Sequence, residues 1–349
     1  MTEEILFEKQ GYLGVATLNR PNALNALTLP MIQSLQDQLT EWESDRNIHA
    51  VLIQATPGKS FCAGGDVRWL YESGLRKDAQ QMEFFSHEYR LNHYIHRYSK
   101  PYIALMNGIT MGGGVGISLH GSHPVATENF VFAMPETGIG FFPDIGASYL
   151  LARLPNYLGV YLGLTGNRLR SQDALAAGLI KKIIPADYSQ QFIELLKETD
   201  LAVNPHQKVD ACLGELPFNE APLPVADIVQ IEKHFKFNTI EEILVSLNAA
   251  EDEWSRACLD NLRQKAPLSL KITLMQIHKS RFLSMAECIK MDYCLVRHFM
   301  KDSDFYEGVR ALLVDKDKSP HWNPKQLESV SEAKVADYFE CEQSLELVD

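Results

Sequence analysis

The chain has 349 residues, with 33 Lys and Arg against 45 Asp and Glu and a net charge of −12. No basic run offsets that balance, which disfavours nucleic acid and anionic membranes as partners; an anionic ligand would need a local basic patch. No stretch approaches about 18 uninterrupted apolar residues, so no membrane span is expected. The six cysteines show no CxxC spacing and no close histidine, which argues against a zinc site or a disulfide framework. The start MTEEILFEKQ has the features of neither a secretory signal nor an Arg-rich transit peptide, and a cytoplasmic protein is expected.

In chain order, Ile5–Phe7 and Leu13–Leu18 read as a hairpin with turn residues at Lys9–Gly11. Thr28 reads as an N-cap and Pro30 as a first-turn residue of a helix to about Ser44, with apolar positions Met31, Leu35, Leu39 and Trp42. The apolar runs Ala50–Ala55 and Tyr102–Met106 predict buried strands, and Ala79–Tyr98 a long amphipathic helix. A glycine-rich loop and a helix from about Gly113 to Leu119 follow, then short strands at Val125–Thr127 and Val131–Ala133. Strands and helices in this alternation predict an α/β core. Beyond Pro185 the chain reads as helical, interrupted by ELPFNEAPLPVAD, whose three prolines mark a loop or linker. Helices are expected at Leu268–Lys279, Met285–Phe299 and Phe305–Val314.

Two glycine-bearing loops carry chemistry. NGITMGGGVGISLHG, Asn107–Gly121, fits neither G-x-G-x-x-G nor G-x-x-x-x-G-K-[ST], so a nucleotide cradle is a poor reading. Close helix–strand packing explains some of its glycines. Glycines that open a helix also leave backbone N–H groups unobstructed toward a ligand. SFCAGGDV, Ser60–Val67, has the same character after the strand Ala50–Ala55. Two such loops can give two N–H donors to one carbonyl oxygen, the arrangement of an oxyanion hole. AMPETGIGFFPDIGAS, 133–148, adds two carboxyl groups, Glu136 and Asp144, in an apolar run with no Lys or Arg. Burial against Phe141, Phe142 and Pro143 would raise at least one carboxyl pKa.

RPNALNAL, SFCAGGDV, KPYIALMNGITMGGGVG, FAMPETGIGFFPDIGAS, LTGNRLRSQDALAAGLI and DFYEGVRALL together resemble the crotonase, or enoyl-CoA hydratase/isomerase, superfamily, in that family's order over most of the chain. EYRLN (Glu88–Asn92), PETGIGFFPD and EGVRALLVDKDKSPHW make the sequence most similar to its 3-hydroxyisobutyryl-CoA hydrolase subgroup. The resemblance implies a spiral of ββα units with a helical C-terminal region. Residues 1–205 would form the core with the acyl-CoA site, 206–265 a helical insertion with the proline-rich loop, and 266–349 a helical region covering the site. It also implies an oxyanion hole from the amides of Ala63 and Gly113, with Gly64, Asp66 and Gly112 beside them. Ala23 and Ala26 would contact the pantetheine arm, and Glu88 the acyl end.

Hydratases of this family use two glutamates, one of them two residues after the last glycine of the run. Gly116 stands there in this chain, while Asp144 adds an acid eight residues beyond Glu136. The implied reaction is therefore hydrolysis of a short 3-hydroxyacyl-CoA, with Glu136 as nucleophile or general base and Asp144 assisting. A hydratase or isomerase, and a non-catalytic acyl-CoA-binding protein, are the alternatives. No cofactor or metal is expected, since coenzyme A belongs to the substrate; nor is a nucleic-acid or membrane partner, while a homo-oligomer is open. His87, His93 and His96 on one helix read as structural, and Cys62 as a small buried residue. Lys59, Arg68, Lys271 and Lys279 are the candidates for the coenzyme A phosphates, each read foremost as a surface charge.

Overall fold

The computed structural model describes residues 3–217 and 227–347. Most of the proline-rich linker read from the sequence, Pro222 and Pro224 included, lies outside the described residues. The chain gathers into two compact units, each assembled from separated segments.

The first unit comprises Met1–Gly65, Arg90–Phe132 and Leu169–Pro224. Its strands are β1 (Ile5–Gln10), β2 (Leu13–Leu18), β3 (Ala50–Ala55), β4 (Ser60–Cys62), β5 (Tyr102–Met106), β6 (Ile109–Met111), β7 (His123–Thr127), β8 (Val131–Ala133), β9 (Leu169–Arg170) and β10 (Lys182–Ile184). One sheet has the order β1-β2-β3-β5-β7-β10 and the other β4-β6-β8-β9. The β1–β2 hairpin is antiparallel, with Gln10 opposite Leu13; from β2 to β10 the large sheet is parallel. Parallel strands are covered on both faces, which is why β3 and β5 read as unbroken apolar runs. Leu13, Val15, Leu52, Ile103, Leu105 and Val125 pack with Phe192, Leu196, Val209 and Leu213 in one core cluster. The helix Leu29–Ser44 begins as expected, the Thr28 hydroxyl accepting from the Met31 amide at 3.4 Å.

The second unit comprises Asp66–Tyr89, Ala133–Arg168 and Val225–Asp349 and is predominantly helical. Its C-terminal part carries helices Pro267–Ser280, Met285–Phe299 and Asp304–Val309, the last widening into a π turn over Arg310–Val314. The long helix predicted at Ala79–Tyr98 runs Gln80–His96.

Two expectations change. The helix read from Gly113 to Leu119 is regular only over Gly113–Gly116, because glycine is a weak helix former and little else holds that turn. Cys294 and Cys341 form a disulfide across 47 residues, against the reading of unpaired cysteines. Chain spacing cannot show a pairing that depends on the C-terminal tail folding back beside the helix Met285–Phe299. Among the described residues no helix is long and apolar enough to cross a membrane.

Candidate active site

In the first unit, β4 and β6 are parallel neighbours, so the loops that follow them leave the sheet at the same end. SFCAGG and MGGG therefore lie side by side. A Cβ on Gly64 would sit 3.4 Å from the Met111 carbonyl oxygen and 3.6 Å from the Gly113 nitrogen, and Gly64 has φ +114°. A Cβ on Gly114 would be 2.2 Å from the Cys62 carbonyl oxygen. Only glycine permits both the backbone conformation at Gly64 and the approach at Gly114.

Gly112, at φ 47°, precedes the short helix, and Gly113 occupies its first position, where an N–H has no acceptor within the helix. The Ala63 N–H donates to the Leu24 carbonyl at 3.0 Å, and the Leu27 N–H to the Gly64 carbonyl at 2.8 Å. The segment carrying Ala23 and Ala26 is thus folded directly onto the first loop. Asn25, fully buried, holds it there by donating to the Ser60 carbonyl at 3.1 Å. Cys62 is buried, as read, with its thiol toward the Gly64 carbonyl.

Gly116 is packed against a side chain that the sequence reading passed over. A Cβ there would lie 2.6 Å from Asn92 Nδ2. Asn92 is fully buried, and neither its Oδ1 nor its Nδ2 has a hydrogen-bond partner among the described residues.

In the second unit, Glu136 opens the short turn Glu136–Ile139, and Asp144 lies just before the helix Ala147–Leu151. Both are buried, 7% and 6% exposed. Phe141 and Phe142 pack on Phe299 at 5.5 and 5.1 Å between ring centroids, which keeps water from this turn. Burial first, and the Asp144 charge second, raise the Glu136 pKa well above the ordinary carboxylate range. Burial pushes Asp144 up to about 7, against the opposing pull of a hydrogen bond from Tyr89. That bond runs from the Tyr89 hydroxyl to Asp144 Oδ2 at 2.8 Å. Glu88, one residue earlier on the helix Gln80–His96, is also buried and raised, by burial and then by Asp144 and Glu136. Oε1 of Glu88 and Oε2 of Glu136 have no partner among the described residues.

A fourth carboxyl completes the cluster. Asp292 is fully buried on the helix Met285–Phe299 and accepts from the Gly146 N–H at 2.7 Å. Its other oxygen accepts from Gln276 Nε2, also at 2.7 Å, and the same Nε2 donates to the Pro143 carbonyl at 3.0 Å. Asp292 and Gln276 therefore grip the turn on either side of Asp144. Burial raises the Asp292 pKa well above the ordinary range.

The acid-bearing turn is also held backbone to backbone. A Cβ on Gly140 would be 2.2 Å from the Asp304 carbonyl oxygen, and one on Gly308 would be 2.3 Å from that of Ile139. Carboxyls that repel and are denied water share protons, so one ionised group stands beside neutral partners. Such a set can attack a carbonyl and relay protons near neutral pH.

The acids Glu88, Glu136 and Asp144 thus come together in the second unit, and Ala63, Gly64, Gly112 and Gly113 in the first. Asp66 caps the helix Val67–Leu75, accepting from the Trp69 N–H at 3.2 Å. Tyr89, Asn92, Gln276 and Asp292 were missed. EYRLN, quoted for Glu88, contains two of them, and Asp292 is a lone charge on the apolar stripe Cys288, Ile289, Leu295, Val296 and Phe299.

Of the basic candidates, Lys271 is tied to Glu241 at 2.6 Å and to the Val330 carbonyl. A cavity of about 680 Å³ in the second unit is lined by Arg263, Lys265, Lys318, His321 and Lys325, with no acidic side chain among the described residues. Among the described residues no group of three or more His, Cys, Asp or Glu is placed to hold a metal.

A family model described as enoyl-CoA hydratase/isomerase matches residues 13–339. The mitochondrial 3-hydroxyisobutyryl-CoA hydrolase of Danio rerio is 42% identical over 344 residues, covering 96% of this chain and 89% of that protein. The Homo sapiens protein of the same name is 41% identical over 345 residues, covering 97% and 88%. Among solved structures, a carnitinyl-CoA dehydratase from Mycobacterium thermoresistibile superposes with a TM-score of 0.90 at 34% identity, covering 99% of each chain. An enoyl-CoA hydratase from Rhodobacter sphaeroides gives the same score and identity over 99% and 100%.

Proposed function

Since the chain belongs to the enoyl-CoA hydratase/isomerase family, we propose that it hydrolyses the thioester of a short 3-hydroxyacyl-CoA. The substrate is 3-hydroxyisobutyryl-CoA, and the products are 3-hydroxyisobutyrate and coenzyme A, a step of valine breakdown. The observation that carries this reading is the buried pair Glu136 and Asp144 in a chain whose Gly116 bears no acid.

In this reading the thioester oxygen takes the N–H groups of Ala63 and Gly113, the former in competition with the Leu24 carbonyl. Glu136 attacks the carbonyl carbon as its carboxylate, the proton that the two acids share then standing on Asp144. The C–S bond breaks, leaving an acyl–Glu136 anhydride, and the coenzyme A thiolate takes a proton from Asp144. Asp144, now ionised, accepts a proton from water as that water attacks the anhydride, which releases the hydroxy acid and restores Glu136. An Asp144 pKa of about 7 suits a group that gives and then takes a proton near neutrality. Glu88 faces the acyl end, Ala23 and Ala26 the pantetheine arm, and Gly64, Asp66 and Gly112 shape the two loops. The basic cavity at Lys265 and Lys325 is suited to the coenzyme A phosphates. The chemistry requires no cofactor. The Cys294–Cys341 disulfide removes cysteine usage as support for placement in the cytoplasm; the relatives named above are mitochondrial, and cell fractionation decides between the two.

Hydration of an enoyl-CoA is the second reading, favoured by the likeness to the solved dehydratase and hydratase structures. Incubation with 3-hydroxyisobutyryl-CoA and with crotonyl-CoA, following free thiol and enoyl absorbance, separates them. Thiol release from the first substrate, lost in Glu136→Gln, supports hydrolysis. Hydration of crotonyl-CoA without thiol release would sink it, and binding with neither reaction would mark a non-catalytic acyl-CoA-binding protein.

A further inference from the structure

An amide buried without partners is costly, because the desolvation of its donor and acceptor is not compensated. Among the described residues Asn92 is in that position on both of its polar atoms. Its carboxamide lies against the Cα of Gly116, at the C-terminal end of the short helix that Gly113 opens. It also stands one turn beyond Glu88 on the helix Gln80–His96, so the two share a helix face, and Glu88 Oε1 is likewise without a partner. Apolar packing alone would be met by leucine at this position, and a side chain at residue 116 would take the space the amide fills. The glycine and the asparagine are therefore a matched pair.

We propose that Asn92 is a substrate-binding residue that takes the hydroxyl group of the acyl chain, its Oδ1 accepting from that hydroxyl and its Nδ2 donating to it. A carboxamide can do both at once, whereas a carboxylate at this place could only accept. Asn92 thereby selects hydroxylated acyl thioesters over their deoxy counterparts. The proposal rests on the acyl-CoA reading above and deepens it.

The test compares wild type with Asn92→Leu, which keeps the branched skeleton and removes the polar atoms, and Gly116→Ala, which displaces the amide without changing its chemistry. Thiol release is measured with 3-hydroxyisobutyryl-CoA and isobutyryl-CoA. The loss of a hydroxyl–amide bond inside a closed site lowers kcat/KM for the hydroxylated substrate about tenfold or more. The rate with isobutyryl-CoA stays within about twofold, so the selectivity ratio collapses in both variants. Because the amide has no partner among the described residues, the unfolding midpoint of Asn92→Leu does not fall; a fall would show that the fold itself holds the amide and would overturn the proposal. Equal losses on both substrates, or an unchanged ratio, overturn the proposal.

Ligand-induced shifts of the unfolding midpoint with the same two thioesters read selectivity without turnover. If wild type binds the hydroxylated thioester selectively but hydrolyses neither, the hydrolase reading fails and the role of Asn92 stands. If wild type does not distinguish the two thioesters in binding, the role of Asn92 fails whatever the turnover.

Discussion

Replacing Asp144 by asparagine removes a charge that the fold is reluctant to hold. The amide is nearly isosteric with the acid, and its oxygen can still accept from the Tyr89 hydroxyl. Asp144 has an ordinary pKa of 3.8 and stands at about 7 when folded. Between those values the folded state binds more protons than the unfolded one, so stability falls as pH rises through the window. At 1.36 kcal/mol per pKa unit, the cost complete above pH 7 is on the order of 4 kcal/mol. Asp144→Asn should therefore be more stable than wild type by up to that amount at pH 8, with the difference shrinking to near zero by about pH 3.5. Urea midpoints at several pH values between these limits give the curve, and thiol release gives the accompanying loss of activity. A stability difference independent of pH, or a wild type more stable at pH 8, would refute the assignment of Asp144 as a buried, reluctantly ionised group.

Tyr89→Phe deletes the hydrogen bond from the Tyr89 hydroxyl to Asp144, which holds that carboxyl's pKa down. The alkaline limb of the kcat/KM profile, where Asp144 loses the proton it must give, should move to higher pH, with kcat down about tenfold; an unmoved limb would count against Tyr89. The Cys294–Cys341 link closes a loop of 47 residues, worth about 4 kcal/mol in chain entropy. A reductant should lower the urea midpoint of wild type and leave that of Cys341→Ser unchanged.

The elements that position the site were legible where the local pattern was strong. The buried strands Ala50–Ala55 and Tyr102–Met106 and the helix Met285–Phe299 were read with the ends they have in the structure. Glu136 and Asp144 were legible because two acids in an apolar run without a basic partner are out of place. The short strands β4 and β6 were not, since three residues carry no period; their pairing is what brings Gly64 and Gly113 together. Tyr89, Asn92 and Asp292 were hidden for a different reason. Each looks ordinary in its own helix, and its role depends on Asp144, Gly116 or Gly146, which lie far away in sequence and were not visible as neighbours.

The grip on the acid-bearing turn limits how this chain can change over generations. Gly140 and Gly308 meet the backbone of Asp304 and Ile139, not flexible side chains, so neither site can gain even a methyl group on its own. Glu136 and Asp144 are separated by this clasp, and their spacing is inherited with it. Single substitutions can therefore vary what surrounds the two acids more readily than the distance between them. A lineage that altered that distance would have to rebuild the turn and the helix Asp304–Val309 together.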